Sequence, residues 1–186
     1  MPNKFSSWLL YKVMKWKKNV SIEYPDKFII CLAPHTSNWD FILGKLFGSA
    51  EGLKSNFLMK KDWFFWPLGI LLKRMGGIPV FRNKHTSLTD ILAETAIQSK
   101  TFQLCITPEG TRSLNPDWKK GFYFIALKAQ IPILLFALDY ENKQISCTKL
   151  IYPSGNVEKD MKIIKSYFKD FKGKRPDQFS IGDINE

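Results

Sequence analysis

Negative charge and histidine are both scarce in this 186-residue chain: 17 Asp and Glu stand against 28 Lys and Arg, leaving +11, and the only histidines are His35 and His85. The deficit of acid draws the molecule toward polyanions, whether lipid head groups, nucleic acid or an acidic carrier protein. Two histidines, with no HExxH or CxxC pattern, offer little from which to build a transition-metal site, and neither a metal nor another cofactor is expected. Cysteine is sparse too. Cys31, Cys105 and Cys147 sit singly in apolar runs, so reduced, mostly buried thiols in a cytosolic compartment are expected rather than a disulfide frame. No Gly-x-Ser-x-Gly elbow occurs, which argues against a serine lipase. Lysines interrupt the N-terminal apolar stretch well short of a bilayer span, and it lacks the small-residue cleavage site of a signal peptide. No repeat, low-complexity tract or linker divides the chain, and its 45% hydrophobic content suffices for one good core. A single domain over 1–186 is the expectation.

What is present is an alternation of strand-like and helix-like segments. From Phe5 to Lys18, helical spacing places Phe5, Trp8, Leu9, Val13 and Trp16 on one arc, with Lys4, Lys15 and Lys18 opposite and Lys12 intruding. This predicts an amphipathic helix within 1–18, packed on the core or lying in a membrane interface. Lys27 to Ala33, ended by Pro34, reads as a strand buried on both faces. Trp39 to Ala50 reads as helix, Asn56 to Met59 as strand, Trp63 to Met75 as a helix that Pro67 starts late or kinks, and Ile78 to Arg82 as strand. Ser87, with Asp90 three residues on, predicts a capped helix burying Ile91, Leu92, Thr95 and Ala96. A strand over Phe102 to Thr107, a helix over Gly121 to Ala129, strands over Ile131 to Asp139 and Ile145 to Ile151, and a basic helix over Val157 to Phe171 complete the series. The pattern predicts an α/β sandwich: a central, largely parallel or mixed sheet flanked by helices, with active groups on loops at strand ends.

Two loops of that kind carry chemistry. In Pro34-His35-Thr36-Ser37-Asn38-Trp39-Asp40, the proline leaves His35 on a turn while Ser37 or Asn38 caps the helix and sets Asp40 in its first turn. A carboxylate there can orient the imidazole, whose other nitrogen then accepts a proton from an alcohol, a general-base role worth about 10² to 10⁴ in rate. Ser37-x-x-Asp40 is equally a capping box that needs no catalytic purpose. In Pro108-Glu109-Gly110-Thr111-Arg112-Ser113, glycine permits close approach to a ligand and Arg112 offers a planar fork for phosphate, with Arg82 a second candidate. Read blandly, this is a good turn sequence.

Taken in order, four blocks resemble the glycerolipid acyltransferase family, which includes lysophosphatidic acid acyltransferases: His35 to Asp40 (His-x4-Asp), Gly77-Ile78-Pro79-Val80-Phe81-Arg82, Pro108 to Arg112, and Ile131-Pro132-Ile133-Leu134. The resemblance covers His35 to about Leu135. It implies that His35, oriented by Asp40, deprotonates a lyso-lipid hydroxyl. That hydroxyl attacks an acyl-CoA or acyl carrier protein thioester without a covalent acyl-enzyme. It further implies that Arg82, Glu109, Gly110, Thr111 and Arg112 bind the acceptor, that Pro132 shapes an acyl pocket, and that the protein lies peripherally on an anionic membrane, here the inner face of the cell membrane. Phe81 and Leu135 depart from residues common in the family, which leaves a 1-acylglycerol-3-phosphate and a lyso-aminolipid both open as acceptor. Nucleic acid is not expected as a partner, because Trp63, Phe64, Phe65 and Trp66 are contiguous rather than interleaved with basic residues. The basic run of Lys159, Lys162, Lys165, Lys169, Lys172, Lys174 and Arg175 reads as a solvated face or a membrane contact.

Overall fold

The computed structural model describes residues 2–80 and 88–182. Seven strands form one sheet: β1 (Lys17–Val20), β2 (Lys27–Ala33), β3 (Asn56–Lys60), β4 (Gly77–Val80), β5 (Phe102–Ile106), β6 (Ile133–Asp139) and β7 (Gln144–Ile151), ordered β1-β7-β6-β2-β5-β3-β4. Only the β6–β7 pairing is antiparallel, so five strands run one way and β1 and β7 run the other. This is the predicted mixed α/β sheet.

Continuous apolar strands make sense once both faces are covered. On β2, Ile29, Cys31 and Ala33 face one core with Ile133, Leu135 and Ala137 of β6, while Phe28, Ile30 and Leu32 face the other with Leu134, Phe136 and Leu138. The first core is closed by α4 (Leu88–Gln98), α5 (Gly121–Ala129) and α6 (Val157–Phe168). The second is closed by α2 (Asn38–Glu51) and by the N-terminal helical segment. Near the β4 edge, α3 (Leu68–Arg74) begins directly after Pro67, as the proline requires.

Three expectations need correction. The N-terminal segment is a single α-helical turn, α1 (Lys4–Ser7), that widens into a π-helical stretch over Trp8–Val13 and then enters strand β1 through Lys15 at φ +57°. Leu10 and Trp16 are inside while Phe5, Trp8 and Val13 are exposed, so the apolar arc as a whole does not pack on the core. A lysine-rich strand such as β1 has no apolar period to announce it; it exists because Lys17–Val20 completes a parallel ladder with β7. In α4 the buried residues are Leu92, Ala93 and Ala96. Ile91 is half exposed, and Thr95 is exposed with its hydroxyl donating to Ile91 O at 2.7 Å. Ser87, the expected cap of α4, lies outside the described residues.

Trp16 packs edge-on against Tyr140, 5.1 Å between ring centroids, and is only 6% exposed, whereas Trp8 is 54% exposed. Trp16→Ala is therefore expected to lower stability by about 3–5 kcal/mol and Trp8→Ala by less than about 1 kcal/mol in urea denaturation. Equal losses would contradict the π-turn placement of this segment.

Candidate active site

Three loops meet at the ends of neighbouring strands. β2 lies between β5 and β6, and Cys31 is level with Ile106 while Ala33 is level with Ala137. The residues that follow these strands, His35, Glu109 and Tyr140, therefore share one end of the sheet, where open α/β sheets carry their sites.

The sequence around Asp40 folds as its pattern predicts. Ser37 caps α2, with its side chain accepting from Trp39 N at 3.2 Å, and Asp40 closes the capping box on Ser37 N at 2.8 Å. The same carboxylate does more. Asp40 is fully buried; its Oδ2 also accepts from Thr36 N at 2.8 Å and lies 3.1 Å from His35 Nδ1, while Oδ1 accepts from the Tyr140 hydroxyl at 2.5 Å. Surrounded by donors, the carboxylate acts as an acceptor throughout, which assigns a proton to His35 Nδ1 and selects the tautomer whose lone pair is on Nε2. Among the described residues nothing hydrogen-bonds that Nε2, and the His35 side chain is 20% exposed. Burial and the bond to Asp40 raise the pKa of Tyr140, which keeps its hydroxyl a donor.

Glu109 is placed differently from the expectation. Its side chain turns inward, and both carboxyl oxygens accept from His35 N, at 2.9 and 3.1 Å. At 2% exposure it clasps the histidine loop to the neighbouring strand end rather than facing an acceptor. Gly110, at φ +68°, turns the chain beyond it, and Asn115 Nδ2 donates to Glu109 O at 2.8 Å. Thr111 is exposed and its hydroxyl accepts from Ser113 N at 3.2 Å.

Arg112 does reach an opening. A cleft of about 480 Å³ is walled by Thr36 to Trp39, by Arg112 and Ser113, and by Lys174, Arg175 and Gln178. Gly110 and Thr111 do not line it. Between α2 and the sheet, a narrow apolar cavity of about 60 Å³ is lined by Asp40, Leu32, Phe41, Gly44, Phe57, Cys105 and Phe136 among others. Burial pushes the Cys105 thiol up to about 12, so it supplies no thiolate nucleophile near neutral pH. Pro132 does not line this cavity. It precedes β6 at the level of Phe28, roughly 20 Å along the sheet from His35 at about 3.3 Å per residue, and its carbonyl accepts from Ile29 N. Arg82 lies outside the described residues. Among those residues no three His, Cys, Asp or Glu side chains gather as metal ligands.

Sequence reading missed Tyr140, Lys174 and Arg175. Tyr140 had a usable signal, since it follows a buried strand just as His35 and Glu109 do. Lys174 and Arg175 had none, being indistinguishable from the lysines before them.

A family model described as Acyltransferase matches residues 17–138. The chain is similar to 1-acyl-sn-glycerol-3-phosphate acyltransferase beta of Homo sapiens, 26% identical over 99 residues, which amount to 50% of this chain and 36% of that protein. The chain thus spans little more than a third of that relative's length. Its fold is similar to the crystal structure of the 1-acyl-sn-glycerophosphate (LPA) acyltransferase PlsC from Thermotoga maritima, with a TM-score of 0.60 at 16% identity over 89% of this chain and 76% of the other.

Burial, opposed by the His35 N–H and reinforced by the nearby Asp40 charge, raises the Glu109 carboxyl from 4.5 to about 8. Between those values the folded protein keeps a proton that the unfolded chain has released, so this group's contribution to stability falls as pH rises through that window, by on the order of a few kcal/mol. Glu109→Gln, which imitates the protonated acid, is expected to flatten that slope. Urea midpoints at pH 5 and pH 8 measure it, and a variant as pH-dependent as the parent would exclude Glu109 as the source.

Proposed function

The chain belongs to the acyltransferase family, and from that premise we propose that it moves a fatty acyl group from a thioester, of coenzyme A or an acyl carrier protein, to the hydroxyl of a lyso-lipid such as a 1-acylglycerol 3-phosphate. The observation that carries this reading is the His35–Asp40 pair: an imidazole whose Nδ1 is held by a buried carboxylate and whose Nε2 is uncommitted. The surroundings suit an amphiphile, with an apolar cavity lined in part by Asp40 and a cationic cleft lined by its neighbours Thr36 to Trp39. The human relative and the Thermotoga maritima protein are both 1-acylglycerophosphate acyltransferases, which supports the reading.

In this mechanism His35 Nε2 takes the proton of the acceptor hydroxyl as its oxygen attacks the thioester carbonyl. A C–O bond forms, the C–S bond breaks, and the imidazolium returns its proton to the departing sulfur, leaving an ester and a free thiol. Asp40 keeps the ring in the productive tautomer and stabilises its transient positive charge, and Tyr140 and the Thr36 and Ser37 amides hold Asp40 still. No covalent acyl-enzyme and no cofactor are required. Arg112 binds the acceptor's phosphate, and the apolar cavity takes the start of an acyl chain.

Such substrates reside in membranes. No helix of the described residues is long and apolar enough to cross one, yet Trp63, Phe65, Trp66, Ile70 and Leu71 are all about half exposed or more, Trp66 reaching 82%. Lys60, Lys61, Lys73 and Arg74 flank them. This is the composition of a surface that dips into an anionic bilayer interface, and it supports peripheral attachment to the inner face of the cell membrane.

With purified protein, an acyl thioester and a panel of lyso-lipids, mass spectrometry is expected to show a diacyl product that His35→Ala reduces by about 10³-fold or more. Free fatty acid released at the same rate with and without lyso-lipid would replace transfer by hydrolysis. Trp66→Ala combined with Phe65→Ala is expected to weaken sedimentation with anionic vesicles roughly tenfold while leaving the unfolding midpoint unchanged. Undiminished vesicle binding would move the membrane face elsewhere.

A further inference from the structure

The basic run that closes the chain is not uniformly a solvated face. Shortly after α6, Lys172 to Arg175 folds back onto the histidine loop and onto Tyr140 at the end of β6. Tyr140 N donates to Lys172 O at 2.9 Å, and Arg175 N donates to Thr36 Oγ1 at 3.1 Å. Between them Gly173 is buried so closely that a Cβ there would stand 2.8 Å from Thr36 Oγ1 and 3.0 Å from Pro34 Cβ. Only glycine allows that approach. The contacts are made to Tyr140, Thr36 and Pro34, the neighbours that hold Asp40 and His35, so the side chains on this segment are registered to the base itself.

Two of them are cations that line the same cleft as Arg112. Lys174 and Arg175 wall it together with Thr36, Ser37 and Asn38, and the Lys174 ammonium rests 4.8 Å from the centre of the exposed Trp39 ring. Among the described residues none of Arg112, Lys174 and Arg175 forms an ion pair with a carboxylate. Three cations converging without an acid between them is an arrangement that a bound anion stabilises. Lys174 and Arg175 also lie beyond residues 17–138, the stretch that the family model matches.

We infer that Gly173-Lys174-Arg175 is a clamp that, with Arg112, binds a phosphomonoester dianion on the acceptor and sets this enzyme's headgroup specificity. The inference rests on the acyl-transfer reading for the identity of the ligand as an acceptor, but not for the presence of the anion site. Arg175 supplies a planar fork for two phosphate oxygens and Lys174 a point charge steadied by the Trp39 ring. A headgroup capped as a phosphodiester with choline presents one negative charge and an added cation, and satisfies three basic side chains poorly. Lys174 and Arg175 are specificity residues, remote in sequence from the proton transfer.

The test measures equilibrium binding to the full chain of three soluble short-chain probes: a 1-acylglycerol 3-phosphate, its choline-capped phosphodiester and the phosphate-free monoacylglycerol. The parent protein is expected to bind the phosphomonoester at least about tenfold more tightly than either other probe. Lys174→Ala with Arg175→Ala is expected to remove that preference, leave monoacylglycerol binding unchanged and retain the parent unfolding midpoint, since both side chains are exposed. Arg175→Lys is expected to fall between, because charge is kept and the fork lost. Inorganic phosphate competing as strongly as the lyso-lipid would show that the clamp takes free phosphate, and would overturn its assignment to the acceptor. Equal binding of the phosphomonoester by parent and double variant would overturn the clamp itself. Turnover separates the two readings. A parent that prefers the phosphomonoester but transfers no acyl group refutes the acyl-transfer function and keeps the anion site, whereas product formed with an unchanged KM in the double variant refutes only the clamp.

Discussion

Everything at the active end of this molecule depends on one buried carboxylate. Asp40 is fully withdrawn from water, and a carboxylate so placed costs several kcal/mol unless its lone pairs are filled. Here they are filled by two backbone amides, a histidine ring and a tyrosine hydroxyl. The amides and the ring come from the β2–α2 turn, the hydroxyl from the end of β6. The arrangement therefore closes only when β2 and β6 lie side by side, and it couples the helix start, the imidazole and the sheet in a single network.

Glu109 performs the complementary task from the other neighbour of β2. By accepting from His35 N it ties the end of β5 to the same turn. A carboxyl so deeply buried, with Asp40 close by, is favoured in its protonated form. The two acids thus divide their roles by environment: Asp40, surrounded by donors, orients the ring, and Glu109, short of them, holds the loop. The imidazole is fixed between them, while the apolar cavity is lined in part by Asp40 and the cationic cleft by Thr36 to Trp39 of the same turn and helix start.

Much of this architecture was legible locally. The runs over Lys27–Ala33 and Ile133–Asp139 are apolar without alternation, which means strands covered on both faces, and helices flank the sheet as that requires. Ser37 and Asp40 announce the start of α2, and Pro67 the start of α3. The pairing of His35 with Asp40 followed from a turn and a cap three residues apart. Other features were not legible, each for a physical reason. The N-terminal segment widens into a π-turn, which a spacing of 3.6 residues does not foresee: Leu10, off the apolar arc, is inside, while Phe5 and Trp8 on the arc are exposed. Strand β1 is held by its ladder to β7, which no property of Lys17–Val20 foretells. Pro132 was carried to the site by resemblance, and the register of β6 on β2 sets it at the other end of the sheet.

By itself, the sequence determined what depends on near neighbours: the covered strands, the caps, the glycine turn after Glu109, and a histidine with a carboxylate within reach. It also determined the family, through blocks whose order survives without knowledge of where they lie in space. Tertiary structure alone decided which long-range partners complete those parts. Tyr140 reaches Asp40 across a strand neighbour 100 residues away in the chain, Glu109 accepts from the backbone amide of His35, and Lys174 and Arg175 line one cleft with Arg112. The physical reason is the same in each case. Hydrogen bonds and charge pairing act over a few ångströms, and only the order and register of the strands determine which side chains come that close.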